Sequence, residues 1–256
     1  MNKSTTLIFI TLIALLASCA QAPTATPEPS ETATETATAT EPPTETATAT
    51  PDYLATETAE ATAKAEAAFV AISEELTDLG LPTEGDLVWV QEEPVEIILT
   101  SQNFDGKVEE LGSDIVVGDF AMGIDVTWET TTGISGCGII FRAEKDMERG
   151  KQIRFYTSRL SGLPIWFFSL YKYGTWQVDL NINSNAAMRN GQGSTNHYLY
   201  IVQGLNTIVY ANGTRIATVT LPADLVDGQF GFLTWEDSAE STCTFENGWI
   251  LEYPNE

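Results

Sequence analysis

The sequence predicts an all-β protein, an antiparallel sandwich preceded by one short α-helix and a disordered linker. Three observations lead there. Residues 205–211 and 214–220 are rich in β-branched side chains and flank Asn212-Gly213, a dipeptide that favours the positive φ values of a two-residue type I′ turn. Residues 120–129 alternate, with Phe120, Met122, Ile124, Val126 and Trp128 on one face and Asp125, Thr127 and Glu129 on the other. After Leu87, about a dozen short apolar stretches recur at near-regular spacing with no helical periodicity among them, the pattern of a β-sandwich.

Composition limits where a core can form and what the protein can bind. Of the 256 residues 43% are hydrophobic, and the aromatic and β-branched ones crowd into the part after Leu87, so one folded domain is expected over 84–254. Twelve Lys and Arg against 36 Asp and Glu give a net charge of −24, which repels phosphate backbones and excludes a nucleic-acid partner. The same charge repels anionic headgroups, so attachment to a membrane has to be covalent or hydrophobic.

Residues 1–19 read as an address. Lys3 is followed by an apolar run, Leu7 to Leu16, too short to span a bilayer, and then by small residues and Cys19. Leu16-Ala17-Ser18-Cys19 resembles a bacterial lipobox, which implies a lipoprotein signal peptide cleaved before Cys19 and lipidation of that cysteine. The expected location is therefore extracytoplasmic, lipid-anchored to a bacterial membrane. Each acyl methylene buried there would contribute roughly 0.8 kcal/mol.

Residues 20–55 repeat Thr, Ala, Pro and Glu with almost no large apolar side chain, so nothing offsets the entropy of ordering the backbone. This is a disordered, extended linker. Over 56–80 the composition shifts to Ala, Glu and Lys, and Phe69, Ile72, Leu76 and Leu79 fall on one helical face before Gly80 and Pro82 end the helix. That stripe is expected to pack on the chain's own sandwich, with a coiled coil as the alternative and a monomer as the expected state.

The remaining strands follow in order. Residues 87–91 and 95–100 are short strands, and the polar segment through Asn103 and Gly106 reads as a loop. After 120–129 come 137–143, with Cys137, Ile139 and Phe141 on one face and Arg142 pointing away, then 152–160, 165–173 and 176–182. A polar loop over 183–196 precedes the hairpin, 228–235 follows it, and 243–253 closes the domain with Cys243, Phe245, Trp249 and Leu251 on one face. With Cys19 assigned to lipid, Cys137 and Cys243 form an even pair in an exported chain, and a disulfide between them is expected.

Residues 196–233 resemble the second half of the concanavalin A-like lectin/glucanase superfamily, laminin-G-like and 3-keto-disaccharide hydrolase-like domains in particular. Carrying the resemblance are the strand with Leu199 and Ile201, Asn212-Gly213 between a tyrosine-bearing strand and Ile216/Val219, and Gly228-Gln229-Phe230-Gly231-Phe232. The strands 120–128 and 138–142 resemble an earlier pair of the same domains. The resemblance spans roughly Leu87 to Tyr253 and implies a two-sheet jelly roll, with sugar recognition as a tendency of the superfamily.

Chemistry is harder to place than fold. Retaining glucanases of that superfamily set two glutamates and an aspartate on one strand; here 123–129 offers Asp125 and Glu129 but lacks the first glutamate. His197 stands alone, and too few nitrogen and sulfur ligands remain for zinc. No cofactor is expected, although calcium, which needs only oxygen, is left open on Asp105, Asp114, Asp119 and Asp237.

Sugar rings stack on aromatic faces while polar groups fix their hydroxyls. Tyr156, Trp166, Phe168, Tyr171, Tyr173 and Trp176 lie in three successive strands beside Arg142, Arg154 and Arg159. Trp166 and Phe168 share a parity that points inward, so the expected ligand-binding set is Arg142, Arg154, Tyr156, Tyr171 and Tyr173. The expected function is non-catalytic binding of carbohydrate or surface glycan by a surface-anchored lipoprotein. The alternatives are a glycoside-active hydrolase and a purely structural envelope protein.

Overall fold

A computed structural model describes residues 53–100, 105–130, 134–160, 163–236 and 240–254. The segments expected to hold the signal peptide, Cys19 and nearly all of the linker lie outside them, as do Asn103, Phe104 and Asp237. Helix α1 (Tyr53–Asp78) leads into thirteen strands: β1 (Asp86–Val90), β2 (Val95–Thr100), β3 (Asp105–Glu110), β4 (Phe120–Thr130), β5 (Ser135–Ala143), β6 (Gln152–Leu160), β7 (Leu163–Lys172), β8 (Thr175–Ser184), β9 (Ser194–Gln203), β10 (Asn206–Ala211), β11 (Thr214–Thr220), β12 (Gln229–Glu236) and β13 (Glu240–Glu252).

The strands form two antiparallel sheets, a jelly-roll sandwich. One has seven strands in the order β1-β13-β4-β9-β10-β11, with β2 also paired to β13; the other has six in the order β3-β12-β5-β6-β7-β8. Asn212 and Gly213 take φ values of 50° and 77° and join β10 to β11, the turn the dipeptide dictates. On β4 the predicted alternation holds: Phe120, Met122, Ile124, Val126 and Trp128 face the core between the sheets. There they meet Phe141, Phe155 and Phe168 from the opposite sheet. The buried Trp128 indole donates to Ser135 Oγ at 2.9 Å, so its polar edge is satisfied.

Cys137 on β5 and Cys243 on β13 are joined by a disulfide across the two sheets. The bond closes a separation of 106 residues. A loop of that length is worth roughly 4 to 5 kcal/mol in the chain-entropy account.

Three sequence expectations are corrected. The first concerns Asp105 and Gly106, expected to lie in a loop, together with residues 107–110, for which no element was expected. They form β3, an edge strand paired to β12, whose sequence DGKVEE carries too few apolar residues to alternate. The second concerns β13. A bulge at Asn247 (φ 54°) and Gly248 sets one extra residue against β4, and every side chain beyond it changes face. Cys243, Phe245 and Ile250 therefore enter the central core, whereas Trp249 and Leu251 turn to the outside of the seven-stranded sheet.

The third concerns the helix stripe. Ile72 and Leu76 bury fully on the outer face of the seven-stranded sheet, against Leu199, Ile201, Trp249 and Leu251, with Ala68 and Leu79 beside them. Phe69 lies at the exposed edge of this contact rather than in it. The helix ends as Gly80 and Pro82 require: Gly80 has φ 69°, Leu81 N donates to Leu76 O at 2.9 Å and Gly80 N donates to Thr77 O at 2.9 Å. This is a Schellman cap, and its flanking pair Leu76 and Leu81 joins the same apolar cluster.

Candidate functional site

The outer face of the six-stranded sheet carries a groove of about 880 Å³, in the size range of small-molecule and cofactor sites. Its floor begins with two glycines. Gly136 and Gly138 alternate with Cys137 on β5, so they face outward while the cysteine faces the opposite sheet. A Cβ on Gly138 would stand 2.5 Å from Tyr156 Cβ and 2.6 Å from its Cα; one on Gly136 would collide with the Trp235 indole. Lacking side chains, these positions let both rings lie down on the sheet.

Above this floor the aromatic groups support one another. Tyr156 on β6 and Phe167 on β7 are register partners, with their rings stacked at 4.9 Å and 11°. Trp235 on β12 meets Tyr156 edge-on at 5.8 Å and 77°. Ser169 Oγ lies 3.5 Å from the Tyr156 hydroxyl and donates to Asp179 Oδ1 at 2.5 Å. The same carboxylate oxygen accepts from Trp176 Nε1 at 2.8 Å. One buried serine and one aspartate thus orient the two ends of the aromatic surface. Burial raises the Tyr156 phenol above its usual value, so it is a neutral hydroxyl at physiological pH.

Arg154 follows the same parity on β6 as Tyr156. Its guanidinium stacks over the Tyr171 ring, 3.8 Å from the centroid, and its Nε donates to Gln152 Oε1 at 2.9 Å. Gln152 is itself buried and donates to Met147 O at 2.5 Å, so the arginine is held from beneath. Lys107, Glu110 and Glu148 complete the charged rim. Ser158, also lining the groove, is buried and its hydroxyl has no partner among the described residues.

Of the residues expected from sequence to bind ligand, the groove brings together Arg154, Tyr156 and Tyr171. Arg142 and Tyr173 are corrections. Arg142 is 1% exposed. It sits at a bulge between β5 and β12 with φ 48°, which breaks the alternation and turns its side chain into the protein. Its guanidinium donates to the carbonyls of Gly118 (2.8 Å), Gly204 (2.8 Å) and Leu225 (2.9 Å) and pairs with Asp119 at 3.1 Å. It ties three loops at one end of the sandwich and has no donors left for a ligand. Burial lowers its pKa from the usual value, opposed by Asp119 and then Asp227. Asp119, one of the carboxylates considered for calcium, is thereby taken up by Arg142 and by the Gly204 amide at 2.9 Å.

Tyr173 has φ 58° and precedes Gly174 (φ 70°) in the β7–β8 turn. It is 70% exposed and lies under Lys172, whose Nζ is 4.8 Å from the ring centroid, outside the groove lining. Sequence reasoning left out Trp176, Phe167 and Trp235 as ligand residues. For Phe167 the signal was available, since its neighbours Trp166 and Phe168 both point inward and alternation sends it outward.

The opposite outer face holds a different cluster. His197 on β9 bridges Glu75 of α1, through Nε2 at 2.7 Å, and Asp125 of β4, through Nδ1 at 2.6 Å. Asn247 of the β13 bulge donates to the second oxygen of Asp125 at 2.9 Å. Burial pulls the His197 pKa down, but the bonds to Asp125 and then Glu75 outweigh it and push it up to about 9. The bond from His197 holds Asp125 below its ordinary value, against the desolvation that raises it. The imidazole is therefore charged near neutrality, a cation between two carboxylates that fastens the helix to the sheet. Glu129 projects from this same sheet and is exposed to solvent.

No family model and no curated protein matches the sequence. Among solved structures, the chain is similar to the carbohydrate binding module CBM66 from Bacillus subtilis, at 15% identity and a TM-score of 0.47, over 60% of this chain and 86% of that one. It is similar to the Bacillus licheniformis beta-glucanase at 14% identity and a TM-score of 0.43, over 64% and 82% of the two chains. A Bacillus subtilis protein with a galectin-like fold gives 10% identity and a TM-score of 0.44, over 60% and 81%. Each of these is a likeness of fold alone.

Proposed function

We propose that the protein is a lipid-anchored, extracytoplasmic binding module that holds carbohydrate in the groove of its six-stranded sheet. The observation that carries this reading is the lining itself. Tyr156, Tyr171, Trp176 and Trp235 offer ring faces and edges along one open surface, among Arg154, Lys107, Glu110 and Glu148. Flat apolar faces beside fixed hydrogen-bonding groups suit a sugar ring, which has an apolar C–H face and a polar rim. The Ser169–Asp179–Trp176 chain supports it further, because it orients a 52%-exposed indole along the groove.

A glycan array tests this reading. Binding is expected for the full-length protein and should weaken at least about tenfold in Tyr171→Ala/Trp176→Ala, since each lost stacking contact removes a sizeable part of a small ligand's affinity. Unchanged binding in that variant would refute the groove as the site. The anchor is a separate claim with its own test: Cys19→Ser should release the protein from pelleted membranes, and retention there would count against lipidation.

A glycoside-active reading would rest on Asp125 and Glu129. Both belong to β4 of the seven-stranded sheet, and Asp125 is engaged by His197 and Asn247. Turnover of a disaccharide panel, abolished by Asp125→Asn or Glu129→Gln, would displace binding as the function. Silence in both assays would leave a structural envelope role.

A further inference from the structure

Among the described residues, the Lys and Arg side chains drawn back from the open surface are Arg142, Lys151, Arg154 and Lys172. With 36 Asp and Glu against 12 Lys and Arg, carboxylates are in threefold excess. Arg142 has taken Asp119 and Lys151 has taken Asp224. Arg154 has not. Among the described residues no carboxylate lies within ion-pair distance of it; its side-chain partners are the Tyr171 ring and the Gln152 amide oxygen. It is nevertheless partly buried, a setting that disfavours its charge, and the groups that act in its favour are the phenols of Tyr171 and Tyr156 rather than an acid. The balance along the groove differs from the rest of the chain as well. Lys107 and Arg154 stand against Glu110 and Glu148, one cation for each carboxylate.

An arginine kept charged, fixed through Gln152 and left without an anion inside a ligand groove is a recognition group awaiting one. We infer that the groove takes a glycan bearing an anionic group, a carboxylate or a sulfate ester, and that Arg154 binds that group. Tyr171 then acts twice: it backs the guanidinium on one side and offers its exposed edge to the sugar. This inference rests on the carbohydrate reading and narrows its substrate class.

The experiment compares three probes by calorimetry on the full-length protein: an oligogalacturonate, the same oligosaccharide as its neutral methyl ester, and a sulfated oligogalactan. At least one anionic probe should bind about tenfold tighter than the ester, the increment expected of a charge-assisted bidentate contact. Whichever of the two binds tighter identifies the group. The advantage should shrink as salt is raised, vanish in Arg154→Gln and survive in part in Arg154→Lys. The wild-type comparison of acid with ester needs no variant, so a folding defect in Arg154→Gln cannot imitate the result. Equal affinity for all three probes, or binding confined to neutral glycans on the array, overturns the anionic-ligand inference and leaves the carbohydrate reading intact. Failure to bind any glycan at all overturns both.

Discussion

A sandwich has two outer faces, and this one treats them in opposite ways. The seven-stranded sheet is sealed: α1 lies across it, Ile72 and Leu76 fill the contact, and His197 fastens the helix through Glu75 while holding Asp125 on the sheet. Among the described residues the six-stranded sheet has no such cover, yet it also presents large rings, including Trp176 at 52% exposure. Apolar surface that can be covered by the chain's own elements usually is, because each Å² removed from water contributes about 25 cal/mol. An aromatic surface left open beside a covered one, among the described residues of the same domain, is what the proposed carbohydrate-binding role requires.

Two tryptophans make the contrast measurable. Trp249 lies on the sealed face, 6% exposed, its indole flat against Gly123. Trp249→Ala should cost about 4 kcal/mol in urea unfolding, because it opens a cavity beneath the helix. On the open face, Gly138→Ala should cost about 3 kcal/mol, since the new methyl meets the Tyr156 backbone, and it should weaken glycan binding together with stability.

The sealed face should also respond to pH where the open one does not. A His197 pKa raised to about 9 means that its contribution is complete below its unfolded value of about 6.5 and is lost as the pH rises through 9. Asp125, with its value lowered, contributes above its unfolded value of about 3.9 and loses that contribution as the pH falls through its depressed one. Stability should therefore decline by about 2 kcal/mol between pH 6.5 and pH 9.5 once solvent screening is allowed for. Thermal melts across that range check this, and His197→Gln should flatten the slope. The smallest effect closes the comparison: Trp176→Ala, although it removes the same side chain as Trp249→Ala, should change unfolding stability by no more than about 0.5 kcal/mol.

How far the sequence could be read depended on whether the deciding force was local. The β10–β11 hairpin was readable because Asn212-Gly213 sets its own backbone. The alternation of β4 was readable because its inner face is wholly buried. The disulfide followed from counting cysteines once Cys19 was set aside. What escaped was set by single extra residues and by distant partners. A bulge sends Trp249 and Leu251 outward, and another turns Arg142 inward at a positive φ; neither leaves a mark in hydrophobic periodicity.

His197 reads as an isolated surface residue until α1, whose Glu75 is 122 positions away, is laid beside it. Of the groove, Arg154, Tyr156 and Tyr171 could be found by strand parity. Trp235 joins them through the pairing of β12 with β5, a long-range relation that no local pattern encodes.

The disulfide also bears on the proposed binding surface. Gly136 and Gly138, the floor beneath the aromatic rings, flank Cys137, and Cys137 is bonded through the core to the opposite sheet. The floor is therefore pinned from behind at its midpoint, which resists bowing under a ligand in the proposed site. A ligand arriving there meets a shape already made. Association then forfeits little chain freedom, and selectivity falls to the outline of the groove rather than to any closing motion around its contents.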